Sequence, residues 1–75
     1  MVVLKSIEDE YGLRCVDIFR RDDGSFGFKE FRRDPEDGGR WTLVADYSAG
    51  RYANSDETLK EAQKIVPWVE ETMRR

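Results

Sequence analysis

The chain has 75 residues, of which 39% are charged, 39% hydrophobic and 12% aromatic, and its formal net charge is −3 at pH 7. A chain of this length forms at most one small domain, residues 1–75, and so many large apolar side chains exclude a disordered protein. The acidic balance argues against a dedicated DNA-binding domain, which usually carries a basic excess.

The number of cysteines and the hydropathy of the chain indicate the cellular compartment of the protein. Cys15 is the only cysteine, so it cannot form an internal disulfide, whereas a secreted domain of this size usually has several. The apolar start at residues 1–4 is followed by Lys5, and it is too short for a signal peptide or a membrane span. We therefore expect a soluble cytoplasmic protein with no membrane partner.

The N-terminal segment, residues 1–13, fits two local structures. Val2 to Leu4 fit a short strand. Ser6 is also placed to cap one turn of helix over residues 6–9, and Gly12 ends whichever element forms.

A β-hairpin is predicted over residues 14–33. Residues 14–21 are rich in β-branched and aromatic side chains, and residues 25–33 form the return strand. The Asp22-Asp23-Gly24 sequence between them is a turn signal.

Two registers of this hairpin are possible, and they differ in which charged side chains lie opposite each other. A two-residue loop would place Asp17 opposite Glu30, and like charges directly opposite each other are destabilising. A three-residue loop with Gly24 in the left-handed conformation places Asp17 opposite Lys29 instead. We expect the three-residue loop, which also pairs Ile18 with Phe28, Arg20 with Phe26 and Cys15 with Phe31.

This register places apolar side chains on both faces of the hairpin. One face carries Val16, Ile18, Phe26 and Phe28, and the other carries Cys15, Phe19 and Phe31. Antiparallel sheets commonly expose one face to solvent, so the apolar side chains of Cys15, Phe19 and Phe31 need another part of the protein to cover them. The N-terminal segment or a second copy of the chain would supply this cover.

A third strand and a helix follow. After a loop at residues 34–39, the alternation over residues 40–48 predicts a strand that completes a meander over residues 14–48. Its apolar side chains fall at the odd positions from Trp41 to Tyr47.

A helix is predicted over residues 55–73, capped by Asn54 or Ser55. One stripe at helical spacing supports it: Leu59, Ala62, Val66, Val69 and Met73. Pro67 interrupts the helix, and because the stripe stays in phase beyond it, a kink is favoured. A break followed by a short second helix is the alternative.

The expected fold class is α+β, with a three-stranded antiparallel meander packed on one C-terminal helix that is kinked or broken at Pro67. The predicted core consists of Val16, Ile18, Phe26, Phe28, Trp41, Leu43, Leu59, Ala62, Val66 and Val69.

Catalysis finds little support in the residues. The chain has no histidine, so the commonest acid–base group at neutral pH is absent, and Cys15 has no histidine to activate it. Carboxylates such as Asp22 and Asp23 lie in polar turns where nothing would raise a pKa. We predict that the protein is not an enzyme and uses no cofactor and no metal.

Two binding functions remain. The leading hypothesis is a protein-interaction or homo-oligomerising module, with Cys15, Phe19 and Phe31 as the candidate surface, because exposed apolar patches mark interaction sites. The alternative is nucleic-acid binding through Arg20, Arg21, Arg32 and Arg33, with Phe19 or Phe31 stacking on bases. The hairpin carries only a small basic excess, which disfavours nucleic acid as the partner.

The layout of hairpin, Trp41 strand and capped helix resembles the small three-stranded-sheet-plus-helix domains of AP2-type and integrase arm-type DNA binders. The resemblance is one of topology, and it implies a sheet face that contacts DNA. The chain is also similar over residues 14–70 to small uncharacterised bacterial proteins with a comparable hairpin and a Trp-to-Tyr third strand.

Overall fold

The computed structural model describes residues 1–47 and 49–74, with the side chain of Asp37 left undescribed. An antiparallel sheet of four strands is followed by two helices, so the fold is α+β, with one strand and one helix more than expected. The strands are β1 (Val2–Glu8), β2 (Arg14–Arg20), β3 (Phe26–Arg33) and β4 (Trp41–Asp46), in the order β1-β2-β3-β4. The helices are α1 (Ser55–Ile65) and α2 (Pro67–Met73), and a short 3-10 helix occupies Pro35–Asp37.

The predicted register of the β2–β3 hairpin is confirmed. Asp17 lies opposite Lys29. Arg21 N donates a 2.8 Å hydrogen bond to Ser25 O, and Gly24 N donates a 3.0 Å bond to Arg21 O, which leaves three residues in the loop. Gly24 has a φ of 87°, a left-handed conformation that glycine adopts without steric cost.

The N-terminal segment is a full strand, and the predicted helical turn at residues 6–9 is wrong. β1 pairs with β2 from Val2 to Glu8, with a bulge at Leu4. Ser6 does not cap a helix, because its hydroxyl donates a 2.6 Å hydrogen bond to Asp17 on β2. Residues 2–8 become a strand through this long-range pairing, which a local pattern does not reveal.

A second bulge, in β4, overturns two core predictions. Glu30 pairs with Ala45, but Phe31 pairs with Leu43, so Val44 is the extra residue. The bulge shifts the alternation by one position. Leu43 and Trp41 therefore lie on the side of the sheet away from the helices, 48% and 40% exposed. The strand is also shorter than the expected 40–48, and Ser48 lies outside the described residues.

The helical region is broken at Pro67, which corrects the preference for a kink. α1 begins after Asn54, whose side chain accepts a hydrogen bond from Glu57 N, and it ends at Ile65. Val66 is extended, with φ −115° and ψ 93°, and Pro67 is the first residue of α2. Proline needs no N–H partner at that position and disfavours helical backbone in the residue before it, which explains the break.

The core lies between one face of the sheet and the two helices. α1 packs on β2 and β3, and α2 contacts β1. Its buried side chains are Ile7, Val16, Ile18, Phe28, Ala62, Val66 and Val69. Six of these were predicted and Ile7 was not; Leu59 packs against the cluster, and Phe26 is only half-buried.

Candidate functional site

The side of the sheet opposite the helices, here named the open face, is the candidate site. Alternation along the strands and the observed register assign its side chains. They are Val3, Ser6, Glu8, Cys15, Asp17, Phe19, Lys29, Phe31, Arg33, Trp41, Leu43 and Asp46. All three residues of the predicted interaction surface belong to it, so the structure brings Cys15, Phe19 and Phe31 onto one face.

Phe19 is covered by its own chain, at 2% exposure. The guanidinium carbon of Arg21 lies 5.0 Å from the centre of its ring, and Lys29 Nζ lies 5.6 Å from the same centre. Gly27, opposite Phe19 on β3, makes room for the ring, because a Cβ there would lie 2.9 Å from Phe19 Cζ. Phe19 therefore supports the sheet beneath two cationic side chains and presents little surface to a partner.

Cys15 is also buried, and its surroundings are unsuited to a nucleophile. Its Sγ donates a 3.2 Å hydrogen bond to Asp17 Oδ1, the same oxygen that accepts from Ser6. Burial raises the pKa of the thiol to about 12, and the Asp17 hydrogen bond and the charges of Asp17 and Glu8 add to this. Reactive cysteines have a lowered pKa, so Cys15 serves packing.

A shallow cavity lies on the open face. Its volume is about 250 Å³, and it is lined by Ser6, Glu8, Cys15, Asp17, Phe31 and Trp41. Two aromatic rings and two carboxylates share this lining, so the cavity offers both apolar contact and negative charge. A ring face beside a carboxylate is suited to a cationic group.

Trp41 and Leu43 extend the cavity into a half-exposed apolar area. Leu43 lies beside Phe31, its partner on β3. The guanidinium carbon of Arg33 lies 4.6 Å from the centre of the Trp41 ring, which fixes the indole against the sheet. Sequence reasoning placed both Trp41 and Leu43 in the core and missed this part of the surface, because the pattern of β4 gave no signal for the bulge.

The four arginines of the nucleic-acid hypothesis do not form one surface. Arg20 pairs with Phe26, and Arg32 lies six residues further along β3, a distance of roughly 20 Å at about 3.3 Å per residue. Both are exposed. Alternation places both on the helix side of the sheet, whereas Arg21 and Arg33 point to the open face.

Arg21 and Arg33 are engaged within the chain. Arg21 donates a 3.2 Å hydrogen bond to Gly50 O while its guanidinium covers Phe19. Arg33 donates from Nε to Gly12 O at 2.7 Å while it stacks on Trp41. These contacts hold loops to the sheet, and the arrangement lacks the convergent cations that a phosphate backbone needs.

No protein-family model, curated protein or solved structure matches the chain. Within the described residues, no helix is long and apolar enough to cross a membrane. The same residues contain no group of three His, Cys, Asp or Glu side chains that could hold a metal ion. The proposed function therefore depends on the fold and on the open face.

Proposed function

We propose that this protein is an interaction module that forms a homodimer through the open face of its sheet. The observation that carries the proposal is the half-exposed pair Trp41 and Leu43, at 40% and 48%, beside Phe31 on a sheet face that the helices leave uncovered. Contiguous apolar groups of this kind mark protein–protein interfaces. A small domain also gains stability by burying such a face against another copy.

The bulges favour a face-to-face arrangement over an edge-to-edge one. Both outer strands carry a bulge, at Leu4 in β1 and at Val44 in β4. Bulges on edge strands are a common device against pairing with the edge of another molecule. With both edges irregular, the regular surface left for a partner is the open face, and two sheets packed face to face lie about 10 Å apart.

Charge on the open face is suited to a second copy of the same chain. The face carries both signs, with Glu8 on β1, Asp17 on β2 and Asp46 on β4 as acids, and with Lys29 and Arg33 on β3 as bases. A two-fold interface joins the same patch on both copies, so the patch must be complementary to itself. A purely acidic or purely basic face would repel its copy, and this face does not.

Sedimentation velocity across micromolar concentrations tests the proposal. We expect a concentration-dependent dimer for the natural chain, and a dissociation constant at least about tenfold higher for Trp41→Ser and for Leu43→Ser. Ile65→Ser is the matched control, because Ile65 is 41% exposed on α1, away from the open face, and it should leave the dimer unchanged. Circular dichroism checks that each variant is folded.

A chain that stays monomeric into the high micromolar range would overturn the proposal. A dimer that is weakened by Ile65→Ser and unaffected by Trp41→Ser and Leu43→Ser would do the same, since the interface would then lie on the helices.

A further inference from the structure

We infer that the two copies are related by a two-fold axis that runs parallel to the strands. The axis lies between the two facing sheets, over the gap between β2 and β3, so that Asp17 of each copy faces Lys29 of the other. This inference rests on the proposed homodimer and specifies its geometry. With the axis in that position, β2 of one copy lies over β3 of its partner. Residues that share a row across the sheet then face the same row in the opposite order.

The register makes the Asp17–Lys29 row of that arrangement charge-complementary. Asp17 and Lys29 are directly opposite each other on β2 and β3, so they share a row and lie on either side of the proposed axis. The rotation exchanges their places and brings the carboxylate of one copy to the ammonium of the other, twice. In the next row, Cys15 faces the apolar ring of Phe31 for the same reason, and Glu8 faces Leu43.

An axis across the strands opposes like charges at two of its positions. Each strand would then lie over its own copy. An axis through the Asp17–Lys29 row would bring Asp17 to Asp17 and Lys29 to Lys29. An axis through the row of Phe31 would bring Lys29 over Arg33, because these two lie equally far from Phe31 on β3. Like charges opposed across an interface are unfavourable, which disfavours both of these positions, whereas the axis along the strands opposes unlike charges in the Asp17–Lys29 row.

The cavity gives the incoming lysine a place. Asp17 and Glu8 both line it, together with the rings of Phe31 and Trp41. In the single chain the ammonium of Lys29 lies over Phe19, and its flexible four-carbon stem can turn toward the partner. Close charge pairs across an interface fix which surfaces meet more than they add affinity.

A double exchange of charge tests this geometry while keeping opposite charges at positions 17 and 29 of each chain. In D17K/K29D the two side chains remain opposite each other on β2 and β3 with their signs reversed. Two copies of this variant are complementary, as are two copies of the natural chain. A mixed dimer, however, would oppose Asp17 to the new aspartate and Lys29 to the new lysine.

Native mass spectrometry of the variant mixed with the natural chain measures the fraction of mixed dimer. The natural chain is labelled with ¹⁵N, because the D17K/K29D exchange leaves the mass unchanged and the two chains would otherwise not be distinguished. We expect each chain to form its own homodimer, and the mixed dimer to fall at least about tenfold below the random fraction of one half. K60E/E61K exchanges two neighbouring charges on α1 and serves as the control, for which random mixing is expected.

Random mixing of D17K/K29D with the natural chain would overturn the inference while leaving the homodimer intact. A natural chain that is monomeric would instead overturn the proposed function. If D17K/K29D does not dimerise, the single variants D17K and K29D are mixed, and the inference requires them to form a heterodimer in preference to either homodimer. Failure of that heterodimer, with the natural chain dimeric, also overturns the inference.

Discussion

The indole Nε1 of Trp68 donates a 2.9 Å hydrogen bond to Glu30 Oε2, across 38 positions of the chain. Glu30 lies opposite Val16 on β2 and opposite Ala45 on β4, so its carboxylate is on the helix side of the sheet. A buried or half-buried acid is costly without a partner. The bond supplies that partner and ties α2 to the centre of the sheet.

Trp68→Phe should therefore destabilise the fold by about 1.5–3 kcal/mol, because hydrogen bonds to charged groups contribute roughly that much and the phenyl ring keeps most of the packing. The free energy of unfolding from urea titration checks this. Glu30→Gln is the matched variant, since its amide retains an acceptor oxygen, and we expect it to lose less than Trp68→Phe. Equal stabilities for Trp68→Phe and the natural chain would contradict the role given to the bond.

The hairpin is the part of this fold that sequence predicts best, and the reason is local. The Asp22-Asp23-Gly24 turn and the need to keep Asp17 away from Glu30 allow one register, and β2 and β3 pair in that register. Helical spacing likewise places Ala62, Val66 and Val69 in the core. In both cases, residues close together in the chain are enough to determine the structure: the register of the hairpin in one and the buried face of the helices in the other.

Non-local pairing accounts for what sequence reasoning missed. β1 exists because Val2–Glu8 pairs with β2, and its own residues are ambiguous. The bulge at Val44 reverses the faces of Trp41 and Leu43 relative to Ala45, and only the pairing with β3 reveals it. Cys15, Phe19 and Phe31, the predicted apolar surface, lie on the open face, but Phe19 and Cys15 are covered by the chain itself.

Gly24→Ala should destabilise the protein by about 1 kcal/mol or slightly more. Gly24 has a φ of 87°, and a Cβ at that position would meet nothing within 4 Å, so the cost is that of the left-handed backbone alone. Gly24→Asn should cost less, because asparagine tolerates this conformation better. Thermal unfolding of the three chains gives the order, and a Gly24→Ala protein as stable as the natural one would show that the turn relaxes.

Asp23 should make the fold sensitive to acid. Its carboxylate accepts hydrogen bonds from the Ser25 hydroxyl at 2.7 Å and from Ser25 N at 2.9 Å, and Arg51 pairs with it. The Ser25 hydroxyl, the Ser25 N–H and Arg51 together lower the pKa of Asp23 from 3.8 to about 2. A lowered pKa means that the contribution to stability is present above about pH 4 and is lost as the pH falls toward 2.

Urea unfolding between pH 2 and pH 6 tests that contribution. Asp23→Asn should be less stable than the natural chain at pH 6, and the difference should shrink as the pH falls from about 4 to 2. Ser25→Ala removes the largest cause of the lowered pKa and should flatten the profile in the same direction. A stability difference that is constant across the pH range would contradict the prediction, because it would arise from something other than the charge of Asp23.

The thiol of Cys15 should resist alkylation in the folded protein. Burial and Asp17 raise its pKa from 9.0 to about 12, so at pH 8 roughly one folded molecule in 10⁴ carries the reactive thiolate, against about one in ten for the unfolded chain. Iodoacetamide at pH 8 should label the natural chain slowly and label it quickly in denaturing urea. Asp17→Asn removes the charge beside the sulfur while keeping an acceptor oxygen, and it should speed labelling in the folded state.

The same raised pKa sets the behaviour of the fold in alkali. Between pH 9 and about pH 12 the unfolded chain loses the Cys15 proton while the folded chain keeps it, so the free energy of unfolding contributed by this thiol falls as the pH rises through that window. Cys15→Ala has no such proton, and its stability should decline less steeply over the same range. If folded Cys15 instead reacts as fast as the unfolded chain at pH 8, or if Cys15→Ala follows the alkaline profile of the natural protein, the thiol is not held in the buried, carboxylate-bound position described above.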